Sequence, residues 1–337
     1  MTATPALSVI VATLDEEAHV VEVLDSLLDQ DLEVPFEILV VDGGSTDRTR
    51  VLVEGHEAFG ERLRLLDNPR RTAPHAFNIG IEAARGEMVA ILGAHCRYDS
   101  NYLSACRDVV VAHGGAVACG GVVQTVPAGP DLAARLACAV LGNPFASSSK
   151  SFRTQRSGEV DSIPYPVYRT ADLRDVGGFD VRLQRNQDND LSERLRRRGV
   201  KMFVTDDTTA EYVARPDMGS LLRYAFHTGR WNGRTVRMGL DVLKPRHMVP
   251  SVFAAGLAAG LIACLDRWTP LGRLARRLVP AVLVLHLGLG ARSAVAVESE
   301  VHGVELAALP PAIAAFHLAY GSGTLRGLAD PVAVDDD

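Results

Sequence analysis

Apolar residues in the first part of the chain fall into short runs, each closed by acidic or turn residues. Residues 7–13 (LSVIVAT) form a β-rich run that stops at Asp15-Glu16-Glu17. Val20, Leu24, Leu27 and Leu28 then recur with helical spacing. Pro35 introduces a second strand at 37–41, which ends in Asp42-Gly43-Gly44-Ser45-Thr46-Asp47, and a third strand is expected at 62–66. A helix over 75–85, closed by Gly86, leads into the apolar run 88–92. That run leaves through Gly93-Ala94-His95, and its length and flanking glycines suit a strand buried on both faces. The order of these elements predicts a mostly parallel α/β sheet with helices on its faces. Right-handed crossovers bring the strand exits, with Asp15, Glu16, Asp42 and the Gly93-Ala94-His95 turn, to one edge, where open α/β sheets hold ligands.

The pattern continues with a helix at 100–113, a strand at 116–123 and a helix at 131–141. A polar loop at 143–158, rich in Ser, Lys and Arg, is a candidate closing loop. Residues 160–169, broken by Pro164 and Pro166, read as edge-type extended chain, and Thr170 can cap a short helix ended by Gly177-Gly178. Asn186-Gln187-Asp188-Asn189-Asp190 opens a helix carrying Leu191 and Leu195, with a basic last turn. Acidic residues at a helix start suit the macrodipole, which is sufficient to explain Asp190.

After Met248 the chain turns apolar. Segments 248–265, 278–297 and 306–324 each approach the length of a spanning helix. Arg267, Arg273, Arg276 and Arg277 between the first two would break the positive-inside rule if the first segment crossed. Two crossings, with the first segment re-entrant or interfacial, fit better. The expected organisation is an α/β domain over 1–245, membrane-associated helices over 246–327 and an acidic tail over 328–337.

A formal charge of −6 gives no reason to expect nucleic acid as a partner. Five cysteines without a CxxC pair read as reduced thiols of a cytosolic compartment. No signal peptide is expected at the N-terminus. The first strand is not followed by GxGxxG, and there is no P-loop, which argues against a dinucleotide-dependent dehydrogenase. Asp42 instead comes straight off its strand, where a carboxylate can accept from a base N–H or a ribose hydroxyl; an ordinary turn and helix cap would use the same residues.

Five ordered motifs carry a resemblance: LSVIVATLDEE, EILVVDGGSTDRT, NPRRTAPHAFNIGIEAARGE, the GAH strand exit and NQDNDLSERLRRRG. Together they resemble family 2 glycosyltransferases, within the branch that includes succinoglycan-type exopolysaccharide glucosyltransferases. FHLAYGSGTLRG near the end adds to the likeness. The resemblance implies a GT-A (Rossmann-like) fold, a nucleotide-diphosphate sugar donor and inversion at the anomeric carbon. On the donor side it assigns Asp42 to the uracil, with Thr13, Asp15 and Glu16 beside the nucleotide and Arg71 and Asn78 flanking the donor. Asp188 becomes the base that activates the acceptor. Gly93-Ala94-His95 falls where the family has Asp-x-Asp or Asp-Ala-His, so the first carboxylate is absent and a divalent metal (Mn2+ or Mg2+) rests on His95 alone. Asp190, Arg215, Arg230 and Trp231 are assigned to the acceptor or diphosphate side, with Arg234 a further cation there; a solvated arginine face with Trp231 as an interface anchor is the competing view.

The expectation is therefore an inverting hexosyltransferase at the cell membrane, its catalytic domain facing the cytoplasm. It would move a hexose, from UDP-hexose, to a lipid-linked saccharide in exopolysaccharide or cell-surface glycan synthesis. A catalytically silent nucleotide-sugar-binding or scaffold protein is the alternative, favoured by Gly93 and opposed by Asp188.

Overall fold

The computed structural model describes residues 4–94, 96–147, 153–154, 157–241, 243–296 and 303–331. In chain order the elements begin β1 (Leu7–Thr13), α1 (Val20–Leu28), β2 (Phe36–Asp42), α2 (Thr49–Glu54), β3 (Leu63–Asp67), α3 (Ala73–Ala83) and β4 (Met88–Gly93). There follow β5 (Cys96–Tyr98), α4 (Tyr102–Ala112), β6 (Val117–Val126), α5 (Leu132–Gly142), α6 (Pro144–Ser147), β7 (Gly158–Val160) and β8 (Val167–Arg169). The chain continues through α7 (Thr170–Asp175), α8 (Gln187–Arg197), β9 (Lys201–Val213), α9 (Met218–Arg237), α10 (Val249–Cys264), α11 (Pro270–Ala296) and α12 (Val304–Ala329).

Two compact units divide the chain, one of residues 1–124 and 155–213 and the other of 125–154 and 214–337. The first is built on a sheet of order β3-β2-β1-β4-β8-β6-β9-β5, with β7 beside β9. The β3-β2-β1-β4 half is parallel, as the strand–helix alternation predicts, whereas β8 joins β4 and β6 antiparallel. Alternate residues of the parallel strands feed two cores. Leu7, Val9, Val11, Ile38, Val40, Ala90 and Leu92 pack with α1, α2 and α4. Ile10, Leu39, Val41, Val89 and Ile91 pack with α3, α7 and α8. Both faces are covered, which is why these strands read as unbroken apolar runs. Gly86 permits a close approach to β1: a Cβ there would lie 2.7 Å from the backbone of Leu7 and Ser8.

The second unit gathers α5, α6 and α9 with the apolar helices, so its contacts begin well before residue 246. The reason is a seam without side chains. Gly229 and Gly233 on α9, and Gly323 and Gly327 on α12, are each four apart, and each faces the backbone of the other helix. A Cβ on Gly229 would sit 2.0 Å from the Tyr320 carbonyl oxygen, and one on Gly327 2.0 Å from that of Arg230. Small residues at such spacing let two helices touch backbone to backbone. Pro245–Cys264, Pro270–Val295 and Val304–Ala329 are each long and apolar enough to cross a membrane. They differ in cover, because 44% of the α12 window is buried against 11% for the other two. Val252, Ile262, Leu265 and Val284 on α10 and α11 are correspondingly exposed. Glu305 at the start of α12 pairs with Arg135 of α5, and His286 of α11 hydrogen-bonds His317 of α12 at 2.9 Å.

The seam has a direct test. Gly229→Leu places a side chain against backbone that cannot turn aside, so a loss of about 1–3 kcal/mol or more is expected as a lowered melting temperature of the detergent-solubilised protein. Gly256→Ala on α10, where a Cβ meets nothing within 4 Å, should leave melting unchanged or raise it.

Candidate active site

Strand register puts the predicted residues side by side. Thr13 is opposite Asp42, Asp42 opposite Asp67, and Ala12 opposite Gly93. The exits of β1, β2, β3 and β4 therefore share one edge, as expected.

Asp42 is the most constrained of them. It is fully buried and accepts five hydrogen bonds: from the Gly44 and Ser45 N–H groups (2.9 and 3.0 Å), the Ser45 and Thr13 hydroxyls, and Arg50 Nη1 (3.1 Å). A carboxylate has about four lone-pair sites, so this one is saturated by its own chain. Burial pushes its pKa up, but the Ser45 hydroxyl and N–H, the Arg50 guanidinium and the Gly44 N–H outweigh burial and leave it below the usual carboxylate range. In this conformation Asp42 shapes the Gly43-Gly44 turn and offers no free oxygen to a base.

Neighbouring groups stitch the first two exits together. Asp15, held at φ 55, accepts from the Thr46 N–H at 2.7 Å and donates its own N–H to Ser45 Oγ at 2.9 Å. The Glu16 N–H reaches Thr49 Oγ1 (2.8 Å), the Glu17 N–H reaches Asp47 (3.0 Å), and Glu17 accepts from the Arg48 N–H (3.0 Å). Ser45, Asp47, Thr49 and Arg50 were not singled out from the sequence, although Ser-Thr-Asp after a Gly-Gly pair signals side-chain-to-backbone bonding. Arg71, also at positive φ (60), is exposed and brings Nη1 to 3.7 Å from where a Cβ on Gly44 would stand. It is a cation beside the turn. Asn78 is committed elsewhere: it donates to the Phe179 carbonyl at 2.9 Å and accepts the Phe179 N–H at 2.7 Å, bracing α3 against the segment before α8.

At the β4 exit the Gly93 N–H donates to the Tyr98 hydroxyl at 2.7 Å, and Ala94 is buried. Gly93 lies outside the left-handed region, and a Cβ there would come 3.2 Å from Cys96 Sγ and 3.3 Å from the Tyr165 ring. His95 lies outside the described residues. Among the described residues no group of three His, Cys, Asp or Glu side chains is placed to hold a metal ion.

The two carboxylates opening α8 differ in circumstance. Asp190 is buried and paired with Arg194 (Nη2–Oδ2 2.7 Å), which also donates to the Val176 carbonyl at 2.9 Å. Asp188 is half-buried, accepts from the Asn189 N–H at 2.9 Å, and has no basic partner among the described residues. Burial, only partly offset by backbone N–H groups, raises its pKa. Tyr168, buried on β8, has its phenol pushed up by burial and further by the Asp188 charge. The other expected residues belong to the helical unit: Arg215 stacks over Tyr224 (5.0 Å), Arg230 bonds Asp330, and Trp231 lies under Arg234 (5.1 Å).

Residues 8–162 match Glycosyl transferase family 2. A dolichyl N-acetyl-alpha-D-glucosaminyl phosphate 3-beta-D-2,3-diacetamido-2,3-dideoxy-beta-D-glucuronosyltransferase from Methanococcus voltae is 23% identical over 69% of this chain and 74% of its own length. Succinoglycan biosynthesis protein ExoA from Rhizobium meliloti (strain 1021) is 25% identical over 77% of this chain and 79% of its own. Among solved structures, the mannosyltransferase PcManGT from Pyrobaculum calidifontis, in complex with GDP-Man and Mn2+, superposes with a TM-score of 0.59 at 20% identity, covering 96% of this chain and 88% of that one. Residues 8–162 thus resemble the family 2 glycosyltransferases, and the chain is a glycosyltransferase with a GT-A fold. Its relatives act in polysaccharide and lipid-linked glycan synthesis, and its apolar helices associate it with the membrane.

Two stability tests follow from the carboxylates. Because the Asp42 pKa is depressed by folding, its contribution is present above the unfolded pKa and lost as pH falls through the folded one. Asp42→Asn should therefore cost about 1.5–3 kcal/mol near neutral pH and flatten the acid limb of the stability profile, measured by denaturant melts across pH. Asp188 has the opposite sign: its folded pKa is raised, so it destabilises once ionised. Asp188→Asn should melt higher than the parent at neutral pH, and the difference should vanish as pH falls below the unfolded carboxylate pKa.

Proposed function

We propose that this protein transfers a hexose from UDP-hexose to a lipid-linked saccharide at the cytoplasmic face of the cell membrane, with inversion. The observation that carries the proposal is Asp188, a half-buried carboxylate with a raised pKa and no basic partner among the described residues, at a helix start whose other carboxylate is neutralised. Such a group holds a proton better than an ordinary aspartate and is not committed to an ion pair, which suits a general base. An acceptor hydroxyl would give its proton to Asp188 as its oxygen attacks the anomeric carbon, while the nucleotide diphosphate leaves from the opposite face.

The donor would lie along the edge made by β1, β2 and β4. In this reading Asp42 acts by building the Gly43-Gly44 turn on which the nucleotide rests, and Arg71 supplies positive charge for the diphosphate. The identity of the base is part of the proposal; the solved neighbour holds GDP-Man. That neighbour also holds Mn2+, but here Gly93 and Ala94 offer no ligand at the β4 exit. Any metal would depend on His95 and on the donor's own phosphates. The membrane part of the reading is supported by the exposed apolar faces of α10 and α11.

Asp188→Asn should keep UDP affinity and lower transfer at least about a hundredfold, because an amide cannot take the hydroxyl proton. Release of UDP over a panel of nucleotide sugars, with membranes supplying the acceptor, measures both transfer and donor choice. Transfer within a few-fold of the parent would remove Asp188 as the base, and preferential use of a guanine nucleotide sugar would remove the UDP assignment.

One imidazole is too few ligands to hold a divalent ion, and imidazole suits Mn2+ better than Mg2+, so Mn2+ should bind only when UDP adds its phosphates. Titration of Mn2+ with and without UDP checks this, and tight binding without nucleotide would contradict it.

A further inference from the structure

The ends of α9 and α12 meet around one carboxylate. Asp330 is almost fully buried and takes Nε of Arg230 at 2.6 Å and Nε of Arg234 at 2.8 Å on one oxygen, while Nε of Arg326 lies 3.4 Å from the other. Arg237 joins them by donating to the Leu328 and Asp330 carbonyls. The Arg230 guanidinium, with help from Arg234 and against the effect of burial, brings the Asp330 pKa down to about 2, so the carboxylate stays charged at any ordinary pH. Among the described residues, four guanidinium groups face one carboxylate here.

Two helix C-termini account for some attraction of cations. They do not account for the arrangement. Arg230 and Arg234 spend their Nε atoms on Asp330, and a third of each side chain remains exposed, as does most of Arg326. With Nε turned to a common anchor and part of each side chain exposed, they form a gathered set of donors of the kind that binds phosphate oxygens. The setting specifies the class of phosphate. The cluster stands at the end of an apolar helix long enough to span a bilayer, and Arg234 stacks on Trp231, a residue type that favours the headgroup level.

We propose that Arg230, Arg234 and Arg326, gathered on Asp330, form a binding site for the phosphate of an anionic membrane lipid. The proposal rests on the membrane part of the reading above and not on Asp188. Two sources share this chemistry, a bilayer phospholipid and an isoprenoid diphosphate of the kind that carries saccharides.

The full-length protein in a neutral detergent is titrated, without donor, with dioctanoyl phosphatidylglycerol, dioctanoyl phosphatidylcholine, an isoprenyl diphosphate and inorganic diphosphate, following tryptophan fluorescence. The anionic lipids should bind at least about tenfold more tightly than phosphatidylcholine, and added salt should weaken them. Arg326→Gln should weaken anionic-lipid binding about tenfold and leave UDP affinity unchanged, and Arg326→Lys should recover part of the loss. Asp330→Asn, which removes the anchor that gathers the arginines, should weaken it. If Arg326→Gln melts lower than the parent, the partial recovery in Arg326→Lys decides. Tighter binding of the isoprenyl diphosphate than of phosphatidylglycerol identifies a saccharide-carrier site, and equal binding identifies a bilayer headgroup site. Equal binding of phosphatidylcholine, unchanged binding in Arg326→Gln, tighter or unchanged binding in Asp330→Asn, or inorganic diphosphate binding as tightly as the lipids would each overturn the proposal. Because no transfer is measured, this outcome is separate from that of the Asp188 test.

Discussion

A single buried carboxylate sets the geometry of the donor edge. Asp42 draws Thr13 from β1, the Gly44 and Ser45 amides from its own turn, and Arg50 from α2 to one point, and Arg50 continues to Asp67 at the end of β3. Taking a charge out of water is tolerable only when hydrogen bonds replace its hydration, and here they do so completely. The turn that results presents two glycines at the sheet edge, with Arg71 above them. A ligand meeting this edge therefore meets backbone and a cation, while the acidic group that fixes them lies out of reach.

At α8 the same chemical group is treated differently. Arg194, one turn along the helix, cancels Asp190 and ties it to the Val176 carbonyl, leaving Asp188 the ionisable partner whose state the environment controls. The neutralised carboxylate steadies the helix start, and the uncancelled one bears an energetic cost that stability alone would not select.

Much of the fold was legible because the parallel strands are buried on both faces and the helices between them keep a clean spacing. β9 was not, because Asp206-Asp207-Thr208-Thr209 interrupts its apolar residues and reads as loop, yet these positions sit inside a thirteen-residue strand. The edge that carries the site was also legible, since strand exits can be ordered from topology. What could not be read was which polar atoms are already spent. Asp42 and Asn78 look like ligand-facing groups in the sequence, but their partners (Ser45, Arg50, Phe179) are known only once the chain is folded. The role of Arg230 was hidden for the same reason, because its partner Asp330 lies a hundred residues away.

The contact between α9 and α12 behaves unlike an ordinary helix interface. Packed side chains can change rotamer and let an interface loosen by degrees, but Gly229, Gly233, Gly323 and Gly327 have nothing to rotate. Their backbones are in direct contact, with Asn232 bonding Tyr320 beside them and Arg230 and Arg234 closing on Asp330 at the end. Within the described unit, α9 and α12 are thus a single rigid strut with a charged tip.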